Sequence, residues 1–224
     1  MDDPTRSPDA LPHGTPSATR KSLQLGRRLV HAANGTVIAS AYALLFTHEQ
    51  VVHLFGTIAC LVYVADRIRI GYPELLRRVP RVNTALFRAE EQMKESAMTP
   101  YAIAIFLTLL TFPKVAALVA IYTLALADPL SAVVGITWGR RRLAPDKTLE
   151  GSLAFFAATV SVVVAVLLCT GVAAPGTITL VALPIGLVAA AFELLPLRID
   201  DNLTIPLFVG FTTWIVCAAA GVGL

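Results

Sequence analysis

The stretch that decides the fold runs from Val115 to Trp138 and reads VAALVAIYTLALADPLSAVVGITW. It is apolar and long enough to cross a membrane as a helix, which takes about 20 residues. Asp128 and Pro129 interrupt it. A carboxylate at that depth is costly unless it is paired or hydrated, so Asp128 is a candidate functional residue. Asp followed by Pro is also a favourable N-cap and first-turn pair, which predicts that a new helix begins there.

The whole chain has the composition of a membrane protein. Of its 224 residues, 56% are hydrophobic and 15% are charged, whereas soluble domains carry about 25% charged residues. Residues 1–22 are rich in Pro, Ser, Thr and Asp without an apolar segment, which predicts a disordered tail rather than a signal peptide. Residues 23–224 are predicted to form one transmembrane domain. The three cysteines stand in separate apolar runs, where packing without disulfides or zinc is expected: Cys60, Cys169 and Cys217.

The hydropathy pattern predicts an all-α, polytopic membrane protein with about seven transmembrane helices. The candidate spans are Leu29–Thr47, Val51–Ile70, Ala97–Phe112, Val115–Trp138, Leu153–Ala174, Ile178–Leu197 and Leu203–Gly221. In this arrangement all of the 18 Lys and Arg residues except Lys114 fall on one side of the membrane. The positive-inside rule makes that side cytoplasmic, so the N-terminus is predicted to be cytoplasmic and the C-terminus to lie outside.

The basic loop Arg67–Lys94 mixes arginines with leucines and Phe87. This mixture favours an interfacial helix whose arginines meet lipid headgroups. A plain basic loop that only sets the topology is the alternative.

A face of small residues follows Asp128 along the predicted helix. Ala132, Gly135 and Gly139 lie at helical spacing from Asp128, with Ser131 beside them. Such a face lets a ligand approach the backbone closely. The alternative is helix packing, because Gly135 and Gly139 form a small-xxx-small motif.

The segment after this face has the features of an anion-binding site. Arg140, Arg141 and Arg142 come first, and a Gly-bearing helix start follows, with the sequence Asp146-Lys147-Thr148-Leu149-Glu150-Gly151-Ser152. Cations, hydroxyl groups and a helix N-terminus all favour a bound phosphate. Glu150 adds an acid that is able to hold a metal ion bound to that phosphate. Three arginines alone are more often a topology signal.

Acids recur before the last predicted span. Asp200 and Asp201 are adjacent, and Mg²⁺ takes one or two carboxylates together with the phosphates of a substrate. The alternative is a helix cap supplied by Asn202. Glu193, near the end of the sixth span, either joins this site or faces the membrane interface.

Two weaker groups precede these motifs. Arg28 and His31 lead into the first span, and Arg88 and Glu91 precede the third. They are candidates for a second layer around the site or for contacts to a lipid. A snorkelling anchor and a surface ion pair are the alternatives.

Three runs of the sequence resemble the dolichol kinase, phytol kinase and CTP-dependent diacylglycerol kinase family. They are Asp128–Gly139, Lys147–Ser152 and Asp200–Pro206, with Arg28-x-x-His31 and Arg88-x-x-Glu91 resembling weaker upstream motifs. The resemblance implies transfer of the γ-phosphate of CTP to the hydroxyl of a membrane lipid alcohol, with Mg²⁺, at the cytoplasmic face. Thr148 stands where many members have Ser, and Pro129 where a small residue often follows the Asp.

The resemblance also suggests roles for individual residues. Asp128, Lys147 and Glu150 are predicted to be catalytic, and Asp128, Glu150, Asp200 and Asp201 are candidates for holding the metal. The predicted nucleotide site comprises Gly135, Gly139, Arg140, Arg141, Arg142, Lys147, Thr148, Gly151 and Ser152. The bilayer, CTP and a lipid alcohol are the expected partners, with no nucleic acid. The alcohol is left open between a polyprenol, a phytol-like alcohol and diacylglycerol, and the oligomeric state is not assigned.

Two other functions remain as alternatives. CDP-diacylglycerol synthases resemble the first half of the pattern and attack the α-phosphate of CTP, but their later signature is replaced here by Asp200-Asp201-Asn202. A small transporter or scaffold is the third interpretation. It predicts polar residues through the full membrane depth, whereas the fifth and seventh predicted spans carry almost no charge.

Overall fold

The computed structural model describes residues 17–72, 98–144, 147–197 and 199–224, with the side chains of residues 17–28 and of residue 31 left aside. Nearly all of this part is helical. The helices are α1 (Ser17–Leu44), α2 (His48–Gly71), α3 (Met98–Thr111), α4 (Lys114–Tyr122), α5 (Asp128–Trp138), α6 (Leu149–Thr170), α7 (Pro175–Glu193) and α8 (Asp201–Ala219). A π-helical segment, Thr123–Ala127, joins α4 to α5, and two short strands, β1 (Arg142–Ala144) and β2 (Lys147–Thr148), form a hairpin.

Helices α4 and α5 and the π segment form one continuous helix, Lys114–Trp138. Asp128 has helical dihedral angles, φ −63° and ψ −51°, so the prediction that it is an N-cap starting a new helix is wrong. The reason lies in Pro129, which lacks an N–H and whose ring crowds the preceding turn. The wider π turn before it accommodates the proline without ending the helix.

This continuous helix occupies the centre of the bundle along its first half. Helices α1, α3, α6 and α8 pack against α4, and every residue from Val115 to Ile121 is buried. Beyond the π segment the helix packs mainly on α6 and α1 and becomes exposed, with Leu130 46%, Ile136 40% and Trp138 65% accessible. The central helix therefore leaves the middle of the bundle at the end where the predicted site residues lie.

Helix α1 runs antiparallel beside the central helix. Ser40 Oγ lies 2.8 Å from the Tyr122 hydroxyl, and Lys114 Nζ donates to the carbonyl of Ala43 at 3.4 Å. Nearer the site end, Gly35 packs so closely on Ala125 that an added Cβ would lie 2.7 Å from the Ala125 Cβ. Lys114, the basic residue set apart by the topology prediction, thus binds the C-terminal carbonyls of α1.

The architecture is that of an all-α membrane protein, but seven spans are not confirmed. Within the described ranges, five helices are long and apolar enough to cross a membrane: α2, Lys114–Trp138, α6, α7 and α8. Helix α3 has 14 residues, which is shorter than a span requires. Helix α1 contains the first predicted span as far as Leu44 and is not among these five helices.

Helix α1 begins at Ser17 and therefore includes residues 17–22 of the predicted tail. The division of the chain at residue 22 stays a prediction. Residues 1–16 lie outside the described residues. The same holds for the predicted interfacial helix of the basic loop, except for its first part up to Tyr72.

Close helix contacts at glycines hold the later helices together. At Gly186 an added Cβ would lie 2.5 Å from Val160 of α6, and at Gly210 it would lie 2.4 Å from the buried ring of Phe112. Phe192 and Phe208 stack with ring centroids 3.7 Å apart, which joins the end of α7 to α8. These contacts fix the helix ends from which the site is built.

We predict that Gly210→Ala destabilises the fold by about 1–3 kcal/mol, because the Phe112 ring is enclosed and cannot move aside. The melting temperature of the detergent-solubilised protein measures this effect. Gly176→Ala is the matched control, since no atom lies within 4 Å of its added Cβ. Equal melting temperatures for Gly210→Ala and the parent protein would contradict the packing described here.

Candidate active site

A short hairpin separates α5 from α6 and was not predicted from the sequence. Strand β1 pairs antiparallel with β2, with Arg142 opposite Thr148 and Ala144 opposite Lys147. Strands this short show no hydrophobic periodicity, so the sequence pattern does not indicate them. The hairpin folds back over the end of the bundle, and it places Lys147 against α7 and α8.

Lys147 lies between two carboxylates from different helices. Its Nζ atom is 2.5 Å from Glu193 Oε1 and 3.6 Å from Asp201 Oδ2. The Glu193 side chain is 3% exposed, and its second oxygen accepts a hydrogen bond of 3.4 Å from Ser152 Oγ. A buried carboxylate needs such partners. The structure thus brings together two separate parts of the sequence, with Lys147 and Ser152 from one part and Glu193 and Asp201 from the other.

The charges around Lys147 keep it protonated. Burial lowers the pKa of Lys147. The hydrogen bond from Lys147 to Glu193 and the negative charge of Glu193 raise this pKa, and the charges of Asp201 and Asp128 raise it further. The net result is a pKa above the ordinary value of 10.5. Lys147 is therefore a cation throughout the neutral range, and Asp128 lies near enough to act on it electrostatically.

Glu193 has a larger part in this arrangement than the sequence suggested. The sequence placed it either in the site or at the membrane interface, and the structure buries it against Lys147 and Ser152. The signal that identifies it is the one used for Asp128: an acid at the end of an apolar helix requires a partner.

Two of the predicted metal-binding acids are engaged with backbone amides. Glu150 Oε2 accepts hydrogen bonds from the N–H groups of Arg140 at 3.1 Å and Arg141 at 3.3 Å. Asp200 is the N-cap of α8 and accepts from the Asn202 N–H at 2.8 Å, so the cap comes from Asp200 and not from Asn202. Among the described residues, no group of three or more His, Cys, Asp or Glu is arranged to hold a metal ion.

The glycine face after Asp128 packs against the chain itself. A Cβ at Gly139 would lie 2.7 Å from Thr148 Cγ2, and one at Gly151 would lie 2.9 Å from the Ser131 carbonyl oxygen. Thr148 Oγ1, which caps α6 by accepting from the Gly151 N–H at 3.2 Å, also lies 3.0 Å from an added Cβ at Gly135. The close approach that these glycines permit is thus made by Thr148 and α6. A nucleotide contact at Gly135, Gly139, Thr148 or Gly151 stays a prediction.

The remaining candidates are placed only in part. The side chains of Arg140, Arg141 and Arg142 are exposed beside the hairpin. Arg28 and His31 belong to α1, where position 31 is one turn beyond Gly35 toward the site end, but their side chains are not described. Arg88 and Glu91 lie outside the described residues.

A second buried ionic cluster was missed in the sequence. Asp66 and Arg69 are 3% and 2% exposed, and Arg69 Nε donates to Asp66 Oδ1 at 3.0 Å. Thr99 Oγ1 donates to the other carboxylate oxygen at 3.1 Å, which joins α2 to the start of α3. The sequence analysis began the basic loop at Arg67, whereas α2 continues to Gly71. The i, i+3 spacing of Asp66 and Arg69 is the signal that was overlooked.

The fold and the site define the class: an all-helical membrane protein with a lysine–carboxylate site built from the ends of its helices. The chain belongs to the cytidylyltransferase family, whose model matches residues 20–195. The Uncharacterized protein RP860 of Rickettsia prowazekii (strain Madrid E) is 27% identical over 192 residues, which cover 84% of this chain and 92% of that protein. No solved structure matches the chain significantly. Membership of this family supports an enzyme that acts on CTP and a lipid.

We predict that Lys147→Met lowers stability by about 1–3 kcal/mol at neutral pH, because it leaves a buried carboxylate without its cation. Adding Glu193→Gln should recover most of this loss, since the amide still accepts from Ser152. Because the pKa of Lys147 is raised, the pair retains the lysine charge throughout the neutral range and loses it as the pH rises past that pKa.

Denaturation of the two single variants and the double variant in detergent measures this coupling. Asp201→Asn is the control. Its side chain is 53% exposed, so the cost should be about 1 kcal/mol or less. Strictly additive losses for Lys147→Met and Glu193→Gln would show that the pair is not coupled.

Proposed function

We propose that the protein is a CTP-dependent lipid kinase, which transfers the γ-phosphate of CTP to the hydroxyl of a membrane lipid alcohol. The observation that carries the proposal is the 3.6 Å approach of Lys147 Nζ to Asp201 Oδ2. It joins the Lys147–Ser152 motif to the Asp200–Pro206 motif across a long stretch of sequence. The second motif is the one that resembles the kinases and stands where the synthase signature would be.

The cations beside the hairpin suit the triphosphate of CTP. Lys147 is held as a cation, and Arg140 and Arg141 expose their side chains on the neighbouring segment. Phosphoryl transfer depends mainly on positioning and on stabilising charge. In the proposal, Lys147 releases part of its interaction with Asp201 to the phosphates and stays anchored through Glu193.

The acids present fit a Mg²⁺ ion that arrives with the nucleotide. Such an ion needs one or two protein carboxylates and takes its remaining ligands from phosphates and water. Asp201, which is half-exposed, is the carboxylate that would hold it, and Glu150 and Asp200 instead accept hydrogen bonds from backbone amides. The ion would supply charge neutralisation and orient the phosphates.

Asp128 is the proposed acceptor of the substrate proton. The lipid oxygen attacks the γ-phosphorus, the bond from that phosphorus to the β,γ-bridging oxygen breaks, CDP leaves, and the hydroxyl proton passes to the carboxylate. Asp128 is half-buried at the point where the central helix leaves the bundle. A lipid alcohol whose tail remains in the membrane is able to reach that depth.

A cytidylyltransferase that makes a CDP-lipid is the second candidate. The matching family is described as a cytidylyltransferase family, which supports an enzyme acting on CTP and a lipid without deciding between the two reactions. In that reaction a lipid phosphate attacks the α-phosphorus of CTP, and pyrophosphate leaves. Lys147 and the arginines would serve either reaction, so the phosphate that is transferred distinguishes them.

We predict that the purified protein, given Mg²⁺ and a mixed lipid extract, moves label into the lipid phase from γ-labelled CTP and not from α-labelled CTP. The labelled product then identifies the alcohol among polyprenol, phytol-like alcohol and diacylglycerol. Label that enters only from the α position would make the protein a cytidylyltransferase and overturn the proposal.

We also predict that Asp128→Asn and Asp201→Asn each reduce turnover by about 100-fold or more, because each removes a carboxylate needed in the transition state. Both variants should still insert and elute like the parent protein in size-exclusion chromatography. Glu49→Gln is the control, since Glu49 is an exposed acid at the start of α2, away from the hairpin. Near-normal turnover in both Asp variants would refute this assignment of the site.

A further inference from the structure

Glu150 lies in the first turn of α6, three residues after Lys147, and its carboxylate contacts backbone amides before the hairpin. One oxygen, Oε2, accepts the backbone N–H groups of Arg140 and Arg141. These two amides follow the end of α5 at Trp138, and Gly139 turns the chain between them and that helix. The carboxylate therefore bridges the end of one helix and the start of the next.

A further contact ties the same two segments together. The Leu149 N–H donates to the Arg141 carbonyl at 2.8 Å, directly beside the Glu150 contacts. Strand β2 carries Lys147 on the return side of this hairpin, opposite Ala144 of β1. The position of the arginine backbone relative to Lys147 is thus set by a few hydrogen bonds, two of which depend on one side chain.

We propose that Glu150 is a positioning residue, which holds the backbone of Arg140 and Arg141 so that their charges stand beside Lys147 and receive the nucleotide triphosphate. The inference rests on the proposed function in that both require CTP at this site. It differs from a metal-binding role for Glu150, because the carboxylate acts through two amides and not on an ion. Holding the arginines in place before binding reduces the conformational freedom lost when the triphosphate arrives.

The substitutions Glu150→Gln and Glu150→Ala separate the two roles. The glutamine side chain keeps an oxygen that accepts both N–H groups, whereas the alanine side chain leaves them to water. A metal ligand would need the negative charge, so Glu150→Gln would damage it as much as Glu150→Ala does. Removing Mg²⁺ gives a second separation, because a carboxylate that acts only as a metal ligand does not favour CTP binding in EDTA, and its loss would then not raise the Kd.

The experiment measures CTP binding to the full-length, detergent-solubilised protein by titration calorimetry, in EDTA and in Mg²⁺. We expect Glu150→Ala to raise the Kd for CTP about tenfold in both conditions, as the loss of two hydrogen bonds to the arginine segment implies. Glu150→Gln should stay within about threefold of the parent protein. Glu49→Ala, which removes a first-turn acid from α2, is the matched control and should leave the Kd unchanged.

Trypsin cleavage after Arg140, Arg141 and Arg142, followed by mass spectrometry, reports the position of the backbone without any nucleotide. Glu150→Ala should increase this cleavage by about tenfold, and Glu150→Gln should not. A merely structural role would raise cleavage but leave the Kd for CTP unchanged, so the two measurements together are needed to support the proposal.

Three results would overturn the inference: an unchanged Kd in Glu150→Ala, an effect on the Kd that disappears in EDTA, or a Glu150→Gln variant as impaired as Glu150→Ala. Failure of the proposed kinase looks different. Label entering the lipid only from α-labelled CTP would remove the kinase assignment, and the pattern of CTP affinities would still support the role of Glu150.

Discussion

The arrangement of the site depends on the pairing of the Glu193 carboxylate. This group lies at the end of α7 with 3% of its side chain exposed, in surroundings where an unpaired charge is costly. Its partner, Lys147, comes from a two-residue strand and reaches Glu193 only because the hairpin folds back over the end of the bundle. Ser152, in the first turn of α6, donates a hydrogen bond to the other oxygen of this carboxylate. The start of α6 and the end of α7 are thus joined through the Lys147–Glu193 ion pair and the Ser152 hydrogen bond. The exposed carboxylate of Asp201 lies close to the same lysine.

The course of the central helix makes room for this site. Along α4 the helix is surrounded by its neighbours, and after the π segment it moves toward α6 and α1. Pro129 and the widened turn before it occur where the helix leaves the centre. The glycines on and just after α5 and on α6 then allow the chain to pack closely around Thr148 at the base of the hairpin. Asp128 stands at the junction of these features, half-buried and near Lys147.

The two candidate reactions, phosphorylation of a lipid alcohol and formation of a CDP-lipid, require the same cations. They differ in which phosphate of CTP reacts. Family membership supports the common chemistry, CTP and a lipid at a membrane. The hairpin arginines, Lys147 and the neighbouring acids provide charges of both signs at one end of the bundle, which suits a triphosphate carrying a divalent ion. Glu150 and Asp200 were predicted to bind a metal ion, but the carboxylate of each accepts hydrogen bonds from backbone N–H groups.

The sequence by itself determined the class of fold, an all-α membrane protein, and it pointed to several of the residues that the structure brings together at one end of the bundle. Hydropathy indicates the membrane helices. A carboxylate within a membrane span is costly without a partner, which identifies Asp128 and points toward Glu193. Both inferences depend only on local composition. Only the tertiary structure decided which acids meet Lys147, that Asp128 is inside a helix, and that the glycine face receives Thr148. It also decided that Asp66 pairs with Arg69 beside Thr99. The physical reason is that each of these outcomes depends on distances between separate helices, and a residue pattern along one chain segment does not contain those distances.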